Sequence, residues 1–292
     1  MSWIIAYTTP DSIKYILNDN VNSYILPNGM FGFGVLRIQV ASERRPYLNG
    51  MVRLGGPYTP AREMGVGLEI MRSSLSSLVA FNRALASNVS AYLDPETLGT
   101  LNITTPDGLL RDISCWMVEW PDLDLSGPVD GRVSPMFWAP DPWFFDPTQV
   151  VEALPMPAND GFSIPLTIPA SVAATSVDGY IFIANDGDVD TWPTIRITGP
   201  ADNPVIVNDT TGKTMDITQA QDVDDYIEID MENATVNWWD NSGAALNNII
   251  ENISDASEFW PLRRGNNTIH ITADNATGGT ITVSYYKRYQ SA

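Results

Sequence analysis

Histidine and cysteine each occur once in this chain of 292 residues, as His270 and Cys115. A lone cysteine permits no internal disulfide and no multi-thiolate metal site, and the setting ISCWMVEW makes Cys115 a core residue. A lone histidine leaves little room for Ser-His-Asp or Cys-His catalysis. His270 lies in Ile269-His270-Ile271, whose apolar members face the core, so it is expected to point outward from a strand. No nucleophile elbow or catalytic-cysteine signature accompanies it. Basic residues are also scarce. The 16 Lys and Arg set against 35 Asp and Glu give a net charge of −19, the opposite of what a grip on nucleic-acid phosphates requires. Acidity of this size promotes solubility; on the inner wall of a ring it would also repel DNA and let it slide. No glycine-rich phosphate loop or Walker-type lysine is present. The opening MSWIIAYTTPDS has no basic region followed by an apolar run, and no stretch approaches membrane-spanning length, so neither export nor membrane insertion is expected.

What is there can fold. With 44% hydrophobic and 17% charged residues the chain can bury real cores, and its length suits two of them. Leu68, Met71, Leu75, Leu78, Leu85 and Val89 recur at helical spacing, which predicts one helix from about Val66 to Val89. GFGVLRIQV before it, and LGTLNIT and DGLLRDISCWMVEW after it, read as strands, with a tight turn at Asp107-Gly108. Residues 1–147 are therefore expected to form an α+β domain. Pro140, Pro142, Pro147, Pro155 and Pro157 then discourage any long regular element and mark the boundary. In the second domain, 148–292, the segments FSIPLTI, GYIFIAN, PTIRITG, PVIVND, TMDIT, YIEIDM, TVNWW, NTIHITA and TITVSYY alternate apolar and polar positions. Short strands separated by Gly, Asn, Asp and Pro indicate an antiparallel β-sandwich or jelly roll, so the fold class is mainly β.

Candidate sites are few. Glycoside hydrolysis needs two placed carboxylates, for which Glu119, Glu228 and Asp230 are available, but nothing in the sequence pairs them across a cleft. The run Asp186-Gly187-Asp188-Val189-Asp190 opens like a calcium loop, then lacks the sixth-position glycine and meets Trp192-Pro193, so a turn between strands is the better reading. Trp238, Trp239, Trp260, Tyr285 and Tyr286 could stack on sugars or pack within the sandwich. Of the adjacent pair, alternation buries one of Trp238 and Trp239 and exposes the other, leaving them as possible glycan or subunit contacts. No catalytic, cofactor-binding or metal residue is assigned.

Four segments, in order, carry a family resemblance. They are FWAPDPWFFDP (Phe137 to Pro147), NDGDVDTWPTIRITGPADNPVIVNDTTGKTMDI (Asn185 to Ile217), YIEIDMENATV and FWPLRRGNNTIHI. Together they resemble the distal tail proteins of long-tailed bacteriophages, the siphovirus tail component family, over roughly the last half of the chain. The resemblance implies a non-enzymatic hub at the tail tip of the virion, assembled in the bacterial cytoplasm and needing no cofactor or membrane. It implies a homohexameric ring formed by the N-terminal domain, with galectin-like C-terminal domains projecting outward. The tail tube would lie above and tip or fibre proteins below, with DNA passing through the channel without specific binding. Some relatives carry an inserted sugar-binding module or a long arm; here the strands follow one another with short loops. The competing functions are a carbohydrate-binding sandwich module or adhesin for host attachment, and a glycosidase.

Overall fold

The structure, a computed structural model, describes residues 2–44, 51–90, 97–119, 123–156, 176–240, 245–276 and 278–292. The expected strand at Phe162 to Ile168 lies outside them. Two compact units result: Met1–Pro147 together with Tyr289–Ala292, and Thr148–Arg288.

The first unit contains β1 (Ile4–Thr8), β2 (Lys14–Ile16), β3 (Ser23–Phe31), β4 (Gln39–Arg44), β5 (Met51–Tyr58), β6 (Arg62–Met71), α1 (Leu75–Ser90), β7 (Gly99–Thr104), β8 (Leu110–Glu119), β9 (Asp124–Leu125), β10 (Asp130–Val133), β11 (Met136–Ala139) and β12 (Phe144–Phe145). Its main sheet runs β2-β1-β7-β8-β11-β6-β10-β9, and β3 pairs along β6. β4 and β5 form a separate two-stranded antiparallel ribbon. The described pairings are antiparallel throughout.

β6 explains why the sequence misleads. Met64, Val66, Leu68 and Ile70 are fully buried on one face, while Gly65 and Gly67 occupy the other. A Cβ on Gly65 would sit 2.1 Å from the Phe31 ring, so glycine there lets β3 lie close against β6. The helix expected from Val66 therefore begins only at Leu75: Leu68 and Met71 belong to a strand whose period-two pattern overlaps helical spacing for a few residues. Ser74 sets the true start, its Oγ accepting from the Ser77 backbone N–H at 3.2 Å. Of the expected strand GFGVLRIQV, only Gln39 and Val40 are extended in a ladder. Gly108, with φ of +91°, closes the turn between β7 and β8 as expected from Asp107-Gly108.

Arg62 is the largest polar side chain in this core and has no exposure. Its four hydrogen bonds all go to backbone carbonyls: Nε to Pro142 (2.7 Å), Nη1 to Gly32 and to Gly34 (2.8 Å), and Nη2 to Gln290 (2.8 Å). The guanidinium also lies 4.5 Å over the Phe144 ring. Burial pulls it down from its ordinary value to about 10, so it remains charged at neutral pH.

The second unit contains β13 (Val150–Pro155), β14 (Val177–Asn185), β15 (Thr194–Thr198), β16 (Asp202–Asn208), β17 (Lys213–Asp216), β18 (Tyr226–Asp230), β19 (Thr235–Asp240), β20 (Ala245–Asn248), β21 (Gly265–Asp274) and β22 (Thr280–Tyr285). One sheet runs β13-β22-β15-β18-β19-β20 and the other β14-β21-β16-β17. Their inward residues form one core: Ile195, Ile197, Ile227, Ile229, Ile281 and Val283 from the first meet Ile183, Ile206, Ile269 and Ile271 from the second. Each such side chain contributes roughly 1.5–3 kcal/mol by leaving water, which makes this alternation the source of the sandwich. The Tyr285 hydroxyl, 3.0 Å from the Ala184 carbonyl, ties the sheets together. β13 emerges inside the proline cluster; as an edge strand ending at Pro155, it tolerates a missing donor there.

Replacing Arg62 with Met should orphan four carbonyls and lower the stability of the first unit by about 3 kcal/mol or more, visible as an earlier urea transition. A second expectation concerns Cys115, which is fully buried and whose thiol is pushed far above its usual range by that burial. Native protein should resist a thiol-reactive chromophore and react only on unfolding; prompt native labelling would contradict the packing.

Candidate functional site

The outward faces of the second unit's sheets hold its exposed aromatics. On β19, Trp238 turns towards the sandwich core, and its buried indole nitrogen has no hydrogen-bond partner among the described residues. Trp239 turns outward, opposite Tyr226 on β18 and Leu246 on β20. Its ring is nearly parallel to that of Tyr226, with centroids 6.1 Å apart, and the Arg196 guanidinium lies 3.7 Å from the Tyr226 centroid. Arg196, Tyr226 and Trp239 therefore form a ladder across three strands, in which the cation closes one face of the tyrosine to any ligand.

His270 does face outward, as its strand position requires. Its Nε2 lies 2.7 Å from Asp178 Oδ1, and its ring stacks on Tyr180 at 4.5 Å between centroids. Both partners come from β14, which pairs with β21 through Tyr180↔His270. No nucleophile is among these contacts; the imidazole is held between a carboxylate and an aromatic face.

The carboxylates considered for hydrolysis have other work. Asp230 ends β18 and accepts from the Glu232 and Asn233 backbone N–H groups and from the Asn233 amide, which makes it a turn former. Glu228 faces outward opposite Arg196. Glu119 belongs to the other unit. In the acidic run, Asp186 pairs with Lys287 at 3.1 Å, Asp190 accepts from the Arg264 backbone N–H at 2.9 Å, and Asn185 Oδ1 accepts from the Gly187 N–H. A Cβ on Gly187 would lie 2.6 Å from the Arg288 carbonyl, so the run is a turn packed onto the strand end. Among the described residues no group of three or more His, Cys, Asp or Glu is arranged to hold a metal, and no helix is long and apolar enough to cross a membrane.

Sequence reasoning passed over Tyr180 and Phe182. They lie on the outward positions of β14, half and 74% exposed. Their signal was present in GYIFIAN, where both sets of alternate positions are apolar or aromatic.

The first unit has its own surface features. Trp116 and Trp138 stack across β8 and β11 at 5.2 Å, with the Trp116 indole donating to the Thr97 carbonyl. Around the β4–β5 ribbon, Val35 and Ile38 are each 68% exposed, and Val40 and Tyr58 about half.

Residues 186–289 match the family model for the siphovirus-type tail component, C-terminal domain. Among solved structures, the chain is similar to the Dit (gp 19.1) protein of phage SPP1, described as a paradigm of hub adsorption apparatus in phages infecting Gram-positive bacteria. The TM-score is 0.64 at 16% identity, over 99% of each chain. A second likeness is to a chain of the phage p2 baseplate in its activated conformation with strontium, at TM-score 0.51 and 12% identity, over 97% of this chain and 98% of that one. No curated protein sequence matches.

Truncating Trp238 to Ala should cost about 2–4 kcal/mol in unfolding free energy, as expected for a large ring packed on a core. The same change at Trp239 should cost under about 1.5 kcal/mol, the scale of a surface ring pair. Equal losses in urea titrations would contradict the opposite orientations.

Proposed function

We propose that this chain, whose residues 186–289 form a siphovirus-type tail component C-terminal domain, is a structural hub at the tip of a bacteriophage tail. It acts by closing a homohexameric ring through its first unit and joining the tail tube to the tip or fibre proteins, with DNA passing through the opening. It is not an enzyme. The likeness to the hub protein of phage SPP1 spans 99% of both chains and so includes the first unit, beyond the reach of the family model.

The observation that carries assembly is the β4–β5 ribbon. A two-stranded antiparallel ribbon is marginal by itself in water, and this one pairs with no third strand among the described residues. Val35 and Ile38 beside it, and Val40 within β4, remain widely exposed. A neighbouring copy that covers these residues supplies the missing apolar contacts, and head-to-tail repetition of such a contact closes into a ring. The charge of −19 suits a channel that carries DNA without gripping it.

Wild-type protein should appear in mass photometry and negative-stain images as closed rings of six. The double variant Val35→Asp, Ile38→Asp, both at exposed positions, should keep its fold by circular dichroism and appear as single chains. Rings that persist unchanged would remove the ribbon from the contact, and wild-type protein that stays monomeric at micromolar concentration would sink the hub reading.

A further inference from the structure

A contact repeated head to tail around a ring joins two different patches on each chain, so the exposed residues beside the β4–β5 ribbon need a complement elsewhere on the molecule. The first unit carries one. The face of its main sheet turned away from the core should be polar where it stands in water. Across β3, β6, β11 and β8 it is instead apolar. The Phe31 ring lies over Gly65, whose partner on the other side is Met136. One row along the strands, Trp138 stacks on Trp116 with centroids 5.2 Å apart. Val118 follows on β8, and it and Phe31 are each 51% exposed. A contiguous apolar patch of this kind marks a contact surface.

Charge sharpens the match. Glu63 and Glu119 are exposed at the register positions of Trp138 and Met136, and neither has an ion-pair partner among the described residues. The sequence from Val35 to Tyr58, which holds the ribbon, has Arg37, Arg44, Arg45 and Arg53 against Glu43 alone, a positive surplus inside a chain of net charge −19. Arg37 is exposed between Val35 and Ile38, which are exposed as well.

We propose that the outward face across β3, β6, β11 and β8 receives the β4–β5 ribbon of a second copy of this chain. Val35 and Ile38 of the incoming copy cover the aromatic patch, and its arginines meet Glu63 and Glu119 at the rim. An apolar centre with complementary charge around it is the usual anatomy of a protein contact. This inference rests on the ring reading above and names the surface that the ribbon seats on. Contact of ribbon with ribbon would set the positive surplus against itself. A nucleic-acid partner would take the arginines and leave the apolar residues beside them uncovered, because phosphates offer no apolar complement.

The test mixes two variants of the full chain and reads their mass by sedimentation velocity at high protein concentration. A ribbon variant, Val35→Asn with Ile38→Asn, and a face variant, Phe31→Asn with Val118→Asn, should each keep the wild-type circular dichroism and sediment as single chains. Mixed in equal amounts they should form two-chain complexes and nothing larger, because one intact ribbon then meets one intact face. Contact of ribbon with ribbon predicts no complex in the mixture. Should the face variant lose its fold, charge reversal at exposed positions answers the same question. Arg37→Glu should raise the concentration at half assembly roughly ten-fold, and adding Glu63→Arg and Glu119→Arg to that chain should recover most of the loss. A mixture that stays monomeric beside wild-type rings, or a charge reversal that is not recovered, overturns the inference and leaves the ring reading standing. Wild-type chains that form no ring overturn both. Duplex DNA retained by wild-type protein and released by Arg37→Glu, with rings intact, would assign the ribbon to nucleic acid and overturn the inference.

Discussion

A charged guanidinium at zero exposure, held by backbone carbonyls, organises the first unit. Arg62 stands first in β6, the strand flanked by β3, β10 and β11, and reaches the irregular segments around Gly32, Gly34 and Pro142. Irregular backbone buried beside a sheet has carbonyls that no ladder satisfies. A planar fork with five donors satisfies several at once, which a lysine ammonium on its flexible stem does less well. Among the described residues no carboxylate pairs with it, and the desolvation cost of the charge is offset by the hydrogen bonds and by the face of Phe144. One side chain thus fixes the segments at Gly32 and Gly34, at Pro142 and at Gln290.

The second unit uses a simpler rule. Ile at alternate positions on β15, β18 and β21 fills the space between two sheets, and the outward positions are left to threonine, charge and a few aromatics. Because packing is settled inside, the outer faces are free to differ in chemistry: one carries the Arg196 ladder, the other the exposed Tyr180 and Phe182 rings. Differences of that kind allow related domains to keep one scaffold while changing what they touch.

Legibility in the sequence follows the same division. Strict alternation made most of the second unit's strands readable from PTIRITG to TITVSYY, because a period of two with β-branched residues has few other solutions. β20 was missed, since ALNN has no alternation to read, and β13 was hidden among prolines that weigh against strands except at edges. In β6 a buried strand with glycines on one face imitated the start of a helix. Trp238 and Trp239 were legible as an in-and-out pair, but the capture of Tyr226 by Arg196 was not, because a cross-strand contact depends on register. Tyr180 and Phe182 were passed over for a related reason: aromatic residues in an apolar run look like core until the register shows which face they occupy. Nothing in the sequence signals that Tyr289–Ala292 pack with the first unit.

That last feature bears on how the molecule is made. Gln290, whose carbonyl accepts from Arg62, lies 228 residues further along the chain, and the Ala292 N–H donates to Phe33 at 3.1 Å. A ribosome releases Arg62 long before either partner exists, so the earlier unit must wait, incomplete, while the later one emerges and folds. Closing so long a loop costs only slowly growing entropy once the intervening domain is compact, yet it sets the order of events. The first unit to be synthesised is the last to be finished, and its core is complete only when Gln290 and Ala292 have joined it.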